Sequence, residues 1–199
     1  VHIGTKRVVI EYSTVDNPST TEDWSDWYIG DFAEQASDVN PYPVTQVLDL
    51  ANVSAKHVAL NIITGQGYRG GGVYVGLAEL QFLVETPGII HPAKITATST
   101  EEWWEFGSVE VVYDGTGLTG DLHDTDVKSA WGAGGHPWKI PPNGMNDGNG
   151  SMATIQFTFD QAYLLDGLNI WNLGDEMGGA PDGIHIGTKS VVIEYSMAD

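Results

Sequence analysis

Three glutamates close together, Glu101, Glu102 and Glu105, surround the Trp103-Trp104 pair. Two carboxyl groups on either side of a sugar are the machinery of glycoside hydrolysis, so catalysis is sought here first. No partner can be assigned to any of the three, and a solvated acidic loop with an aromatic anchor accounts for them better. Six histidines occur, with no HExxH, GxSxG, phosphate-loop or dinucleotide-binding pattern around them. Asp147–Ser151 (DGNGS) opens like a calcium-binding helix-loop-helix but lacks the spaced acidic ligands and the distal glutamate, and reads as a β-turn. A Gly- and Asp-rich run lies at 114–126 (DGTGLTGDLHDTD). Its Asp-Gly opening reads as a tight turn. Its later aspartates, Asp121, Asp124 and Asp126, read more simply as a solvated loop. No catalytic set emerges, and the expectation is a protein that is not an enzyme.

Composition narrows the partners. Twenty-seven acidic residues against eight basic ones leave a formal charge of −19. Such a surface repels nucleic acid and anionic membranes, whereas its carboxylates attract divalent cations. No run approaches the roughly 20 apolar residues of a membrane-spanning helix. The absence of cysteine rules out disulfides, thiolate metal sites and cysteine nucleophiles. The first residues carry neither an initiator Met nor the basic-then-apolar pattern of a signal peptide, so the chain reads as a processed product or a slice of something longer.

These candidate groups must be held by strands. Among 199 residues, 41% are hydrophobic, and 25 glycines and nine prolines punctuate the chain without a sustained helical stripe. Strands are expected over Arg7–Tyr12, Val44–Leu50, His57–Ile63, Leu77–Val84, Lys94–Thr98, Val109–Tyr113, Thr154–Phe159, Leu164–Trp171 and Ser190–Tyr195. Long Gly-, Asp- and Pro-rich connections lie at Thr64–Gly72, Gly115–Asp126, Gly132–Gly150 and Gly174–Gly183; loops of that length commonly carry function. Pro87-Gly88 is the expected boundary or permutation joint between residues 1–87 and 88–199.

One segment occurs twice. Val1–Asp16 and Ile184–Asp199 share 12 of 16 residues at a spacing of 183, so the chain reads as one repeat unit and the start of the next. Two copies of one strand compete for one place. The spare copy is expected to be unpaired, a sticky edge, or to sit in another copy of the domain.

The order of motifs carries a resemblance. ITATST, VVYDGTGLTG, SAWGAGGHPW, IQFTFDQAYLLDGLNIWN and HIGTKSVVIEYS resemble the first half of a discoidin, or coagulation-factor C-type, domain. HIGTKRVVIEYS, the Asp23–Trp27 loop, VTQVLDL, HVALNIITGQGYRGGG and VGLAELQFLV resemble its second half. The implied fold is all-β, an antiparallel sandwich of the galactose-binding-like jelly-roll type. Residues 1–87 would form the C-terminal half of a domain, and 88–199 the N-terminal half of the next or of the same, permuted, domain. The resemblance further implies a structural Ca²⁺ held by Asp114 and Glu79, with the carbonyl of Gly117 and the hydroxyl or carbonyl of Thr119 as further ligands. It also implies that loops at one end of the sandwich hold carbohydrate, through Trp131, His136, Trp138, Tyr68, Arg69 and Asn172, with Trp24, Trp27 and Glu176 nearby.

The function expected is a non-enzymatic extracellular or cell-surface repeat unit, stabilised by calcium. Copies of itself would join head to tail, or by strand exchange, into an adhesive fibre or tandem array. The alternative expectation is a carbohydrate-binding module of a larger secreted protein or glycan-active enzyme, with cell-surface or matrix carbohydrate as partner. Neither nucleic-acid binding nor membrane insertion is expected.

Overall fold

Alternation of apolar and polar residues along β-branched and aromatic runs builds an all-β fold of antiparallel sheets. The structure is a computed structural model that describes residues 9–13, 18–19, 23–33, 41–65, 67–69, 72–85, 88–102, 106–124, 126–134, 153–173 and 188–196. The strands are β1 (Val9–Ser13), β2 (Ser25–Asp31), β3 (Tyr42–Pro43), β4 (Gln46–Gly65), β5 (Gly67–Arg69), β6 (Gly72–Val84), β7 (Gly88–Ile89), β8 (Ile95–Ser99), β9 (Leu118–Thr119), β10 (Leu122–His123), β11 (Trp131–Gly134), β12 (Ala153–Asn172) and β13 (Thr188–Ser196). Among the described residues no helix is long and apolar enough to cross a membrane.

The main sheet runs β11-β6-β12-β4-β13-β1-β2. From β11 to β1 its members alternate between the second and first halves of the chain. Neither half is a separate layer. At the joint, β6 turns directly back into β7, with Leu83 opposite Ile89 and Val84 opposite Gly88. The expected boundary at Pro87-Gly88 is therefore flanked by a paired hairpin within one sheet.

Two 20-residue strands, β4 and β12, run antiparallel along each other and shape the sandwich. The first part of β12 pairs with β8 and its last part with β6. Pairing is interrupted between Thr158 and Tyr163 and again between Leu165 and Gly167; such bulges bend a strand. At Gly167 the Leu48 carbonyl approaches so closely that no Cβ fits. The bend folds the first part of β12 over β6. Phe82 of β6 meets Phe157 and Phe159 edge-on, with ring centroids 5.1 and 5.0 Å apart. These rings, with Leu60, Ile62, Leu80, Ile155 and Ile170, form the centre of the core. A smaller cluster of Tyr42, Ala78, Phe106, Ala130, Trp171 and Leu173 lies under the second sheet, β3-β10-β9.

Several expectations change. Val44–Leu50 and His57–Ile63 merge into β4, and Thr154–Phe159 and Leu164–Trp171 into β12. The exposed polar residues between each pair mark bends in one strand. Val109–Val112, a β-branched run, is a 3-10 turn instead, with Val111 N–H on the Ser108 carbonyl and Tyr113 N–H on that of Glu110. It still buries Val109, Val111 and Val112, because a tight turn packed against a core rewards the same apolar residues as a strand.

The duplicated segment takes a third course. β13 pairs antiparallel with β4, from Val191 opposite Ile62 to Ser196 opposite His57. β1 lies on the far side of β13, parallel and in register: Ile10 with Ile193, Glu11 with Glu194, Tyr12 with Tyr195, Ser13 with Ser196. Among the described residues this is the one parallel strand pair. Within the single chain the spare copy is thus paired rather than an open edge. Identical strands pointing the same way extend one sheet, and β2 covers the outer edge of β1.

Candidate metal centre

Glu79 sits in the middle of β6, in register with Trp171 of β12, and is 1% exposed. A carboxylate so deeply buried ordinarily needs a positive partner or several donors. The one donor described is the Gly115 N–H, 3.3 Å from Oε2. Burial above all, and the nearby charge of Asp114, push the Glu79 carboxyl up from its ordinary 4.5 to about 8, against the opposing Gly115 hydrogen bond.

The loop above it is tightly specified. After the 109–112 turn, the Asp114 N–H bonds the Glu110 carbonyl at 3.1 Å. Asp114 is exposed and its Oδ1 accepts the Thr116 N–H at 2.7 Å, a local turn. Gly115, Gly117 and Gly120 all have positive φ, where an L side chain is strained. The Gly117 carbonyl accepts the Asp124 N–H at 3.0 Å, and Trp171 Nε1 ties the loop down through the Asp121 carbonyl at 3.2 Å.

The structure thus brings Glu79 and Asp114 to either side of Gly115. Gly117 is one turn further on, with its carbonyl engaged by Asp124. Thr119 is exposed on β9, opposite Leu122. Among the described residues no three His, Asp or Glu side chains gather as a metal-binding group. The groups at hand, the Glu79 carboxyl and the Asp114 carboxyl on the loop above it, are hard oxygen donors, which would suit a cation such as Ca²⁺ rather than a transition metal. The under-hydrogen-bonded Glu79 carboxylate fits a cation at this place.

The carbohydrate candidates fare differently. Trp131 is wholly buried in the core, with no hydrogen-bond partner for Nε1. A ring so placed presents no exposed face for stacking on a pyranose. Asn172 is also fully buried. Its Nδ2 donates to the Ala33 carbonyl at 3.1 Å and its Oδ1 accepts the Leu173 N–H at 3.0 Å, a structural tie rather than a ligand contact. Trp27 is half-buried and donates from Nε1 to the Ala51 carbonyl at 2.9 Å, and Trp24 is also half-buried. Tyr68 and Arg69 lie on β5, in the hairpin with β6; their side chains are outside the description. His136, Trp138 and Glu176 lie outside the described residues, as do Glu105 and the DGNGS turn. Glu102 caps the 109–112 turn by accepting the Val109 N–H at 3.1 Å.

Tyr42 and His123 were not singled out by sequence. Both are buried, their rings are 5.7 Å apart, and the Tyr42 hydroxyl and His123 Nε2 have no hydrogen-bond partner. Burial foremost, and then the charge of Asp124, drive the Tyr42 hydroxyl pKa upward. The signal for this pair was thin, because His123 stands inside an acidic run that reads as solvated loop.

No family model, curated protein or solved structure matches the chain.

Proposed function

We propose that this chain is a non-enzymatic extracellular repeat unit with a discoidin-like, calcium-stabilised fold. Copies join head to tail as the structural or adhesive element of a surface fibre or array. The observation that carries the reading is the duplicated strand. Both copies are sheet-forming and lie side by side, β13 against the edge of β4 and β1 against β13. A segment duplicated at the repeat spacing and built into the sheet is what a unit that passes from one copy to the next requires.

Calcium enters through Glu79. Bound there, with Asp114 and loop carbonyls as co-ligands, Ca²⁺ would supply the positive charge that the buried carboxylate lacks. Glu79 would hold the cation from the sheet side, and the glycine turns would keep the 114–120 loop closed over it. The carbohydrate-binding alternative is weakened by the burial of Trp131 and Asn172.

Light scattering and electron microscopy of the purified chain, in calcium and then in chelator, test the proposal. Concentration-dependent assemblies are expected in calcium. A monodisperse monomer at all concentrations in calcium would refute assembly.

A further inference from the structure

From Val8 to Ser13 and from Val191 to Ser196 the two copies are identical, residue for residue. These are the six positions at which β13 pairs with Ile62 to His57 of β4. Over these six positions the β4 edge would meet the same residues from either copy; the copies differ only further along, where Ser190 opposite Thr64 corresponds to Arg7. Because β1 is parallel to β13 and in register with it, β1 already has the direction and level that β4 requires. One lateral step of a strand spacing, about 4.8 Å, would bring it to the place of β13 without rotation or slippage.

We infer that β13 of one copy inserts between β4 and β1 of the next, and that β1 closes that place when no neighbour supplies it. The inference rests on the head-to-tail reading above and names its joint. Stoichiometry favours this exchange. Each chain has one β13 to give and one place between β4 and β1 to receive it, so every contact of the single chain is remade between chains. Exchange of an identical element costs little for that reason, and β-strand addition supplies a full ladder of backbone hydrogen bonds. The first copy in a fibre receives no β13. Its β1 moves against β4 and leaves no open edge. This gives the second copy of the segment a task that a single copy could not perform.

The chain contains no cysteine, so a single introduced thiol reports cleanly. Ala59 stands opposite Glu194 and Val58 opposite Tyr195. Neighbouring positions of an antiparallel pair alternate between wide and close Cα spacing, so one of these two pairs is the close one. Chains carrying Ala59→Cys would be mixed with chains carrying Glu194→Cys, and Val58→Cys with Tyr195→Cys, in calcium under mild oxidation. A disulfide-linked species of twice the chain mass, formed from the mixtures by at least one pair and absent from each variant alone, is the expected result. Absence of that species with both pairs overturns the inference. Scattering from the same mixtures separates the two failures: assembly without the cross-link refutes strand exchange alone, and no assembly refutes the proposed function as well. The double variants, Ala59→Cys with Glu194→Cys and Val58→Cys with Tyr195→Cys, should close within one chain when diluted to monomer. If neither closes, the register itself is wrong and the inference falls.

Discussion

Replacing Glu79 by Gln keeps shape and removes the ionisable group from the core. In chelator, the wild-type carboxyl is held at about 8 in the folded chain against 4.5 ordinarily. Its folded pKa is raised, so between those values the folded state keeps a proton that the unfolded chain has shed. Rising pH then favours unfolding, and this group's contribution is lost progressively from about pH 4.5 to 8. The displacement of about 3.5 on the pH scale, at about 1.36 kcal/mol per unit, amounts to about 5 kcal/mol. Glu79→Gln should remove that slope. In chelator it should be more stable than wild type at pH 8.5, with the difference shrinking toward pH 5. Calcium should narrow that gap at pH 8.5 by about half, because a ligand at a hundred times its Kd adds about 2.7 kcal/mol to wild type while the amide forfeits the charge that holds it. Urea midpoints at several pH values, with and without calcium, read all four cases; about 5 kcal/mol moves a midpoint by more than about 1 M at roughly 3 kcal/mol per M. Identical pH slopes for the two proteins in chelator would refute the buried-carboxylate argument. Equal stabilisation of both by calcium would remove Glu79 from the ligand set.

Two further substitutions test the loop and the core. Gly117 has φ +87° and an added Cβ would lie 2.7 Å from Ser129 Cβ and 2.8 Å from His123 Cε1, whereas Gly115 at φ +82° has nothing within 4 Å. Gly115→Ala should cost about 1–2 kcal/mol for its backbone alone, and Gly117→Ala at least about 1 kcal/mol more; equal losses in thermal melts would show that the loop is not packed as described. Phe82→Ala should cost about 3–5 kcal/mol, a fall in Tm of roughly 6–20 °C at about 2–4 °C per kcal/mol. A loss under about 1 kcal/mol would mean that Phe157 and Phe159 do not close over β6.

The all-β character was legible because alternation survives along strands such as β12: Ala153, Ile155, Phe157 and Phe159 are buried while Thr154, Gln156 and Thr158 between them are only partly so. Strand ends were less legible, since a bulge such as that near Asp160 reads as a loop when tertiary pairing is unknown. Val109–Val112 was misread because β propensity reports a fit to a half-buried surface rather than a backbone preference. For the site, pairing Glu79 with Asp114 came through resemblance, and local pattern alone would have made Glu79 a solvated strand residue. The burial of Trp131 and Asn172, which the resemblance makes carbohydrate contacts, was not legible, because burial of a large aromatic or an amide depends on what folds over it. Asn172 meets Ala33 across 139 positions of sequence, a contact that no local pattern carries.

The candidate metal centre joins the two halves of the chain. Glu79 belongs to β6, before the Pro87-Gly88 joint, and Asp114 to Gly120 come after it. The sheet already interleaves the halves, with β6 between β11 and β12 and β4 between β12 and β13, so neither half can keep its neighbours alone. The loop that carries Asp114 is different. Its described ties to the first half include Glu79 through Gly115 and the pairing of β10 with β3. A cation held by both Glu79 and Asp114 would strengthen the weaker of these connections, since the hydrogen bond at Gly115 is long and its acceptor is drawn toward protonation by burial. Calcium would then act on the closure of the 109–124 region over β6 rather than on the interleaved sheet. Hydrogen exchange should slow in residues 109–124 on calcium addition, while amides at the centre of β4 and β12 keep their rates; uniform protection across the sheet would place the effect of calcium elsewhere.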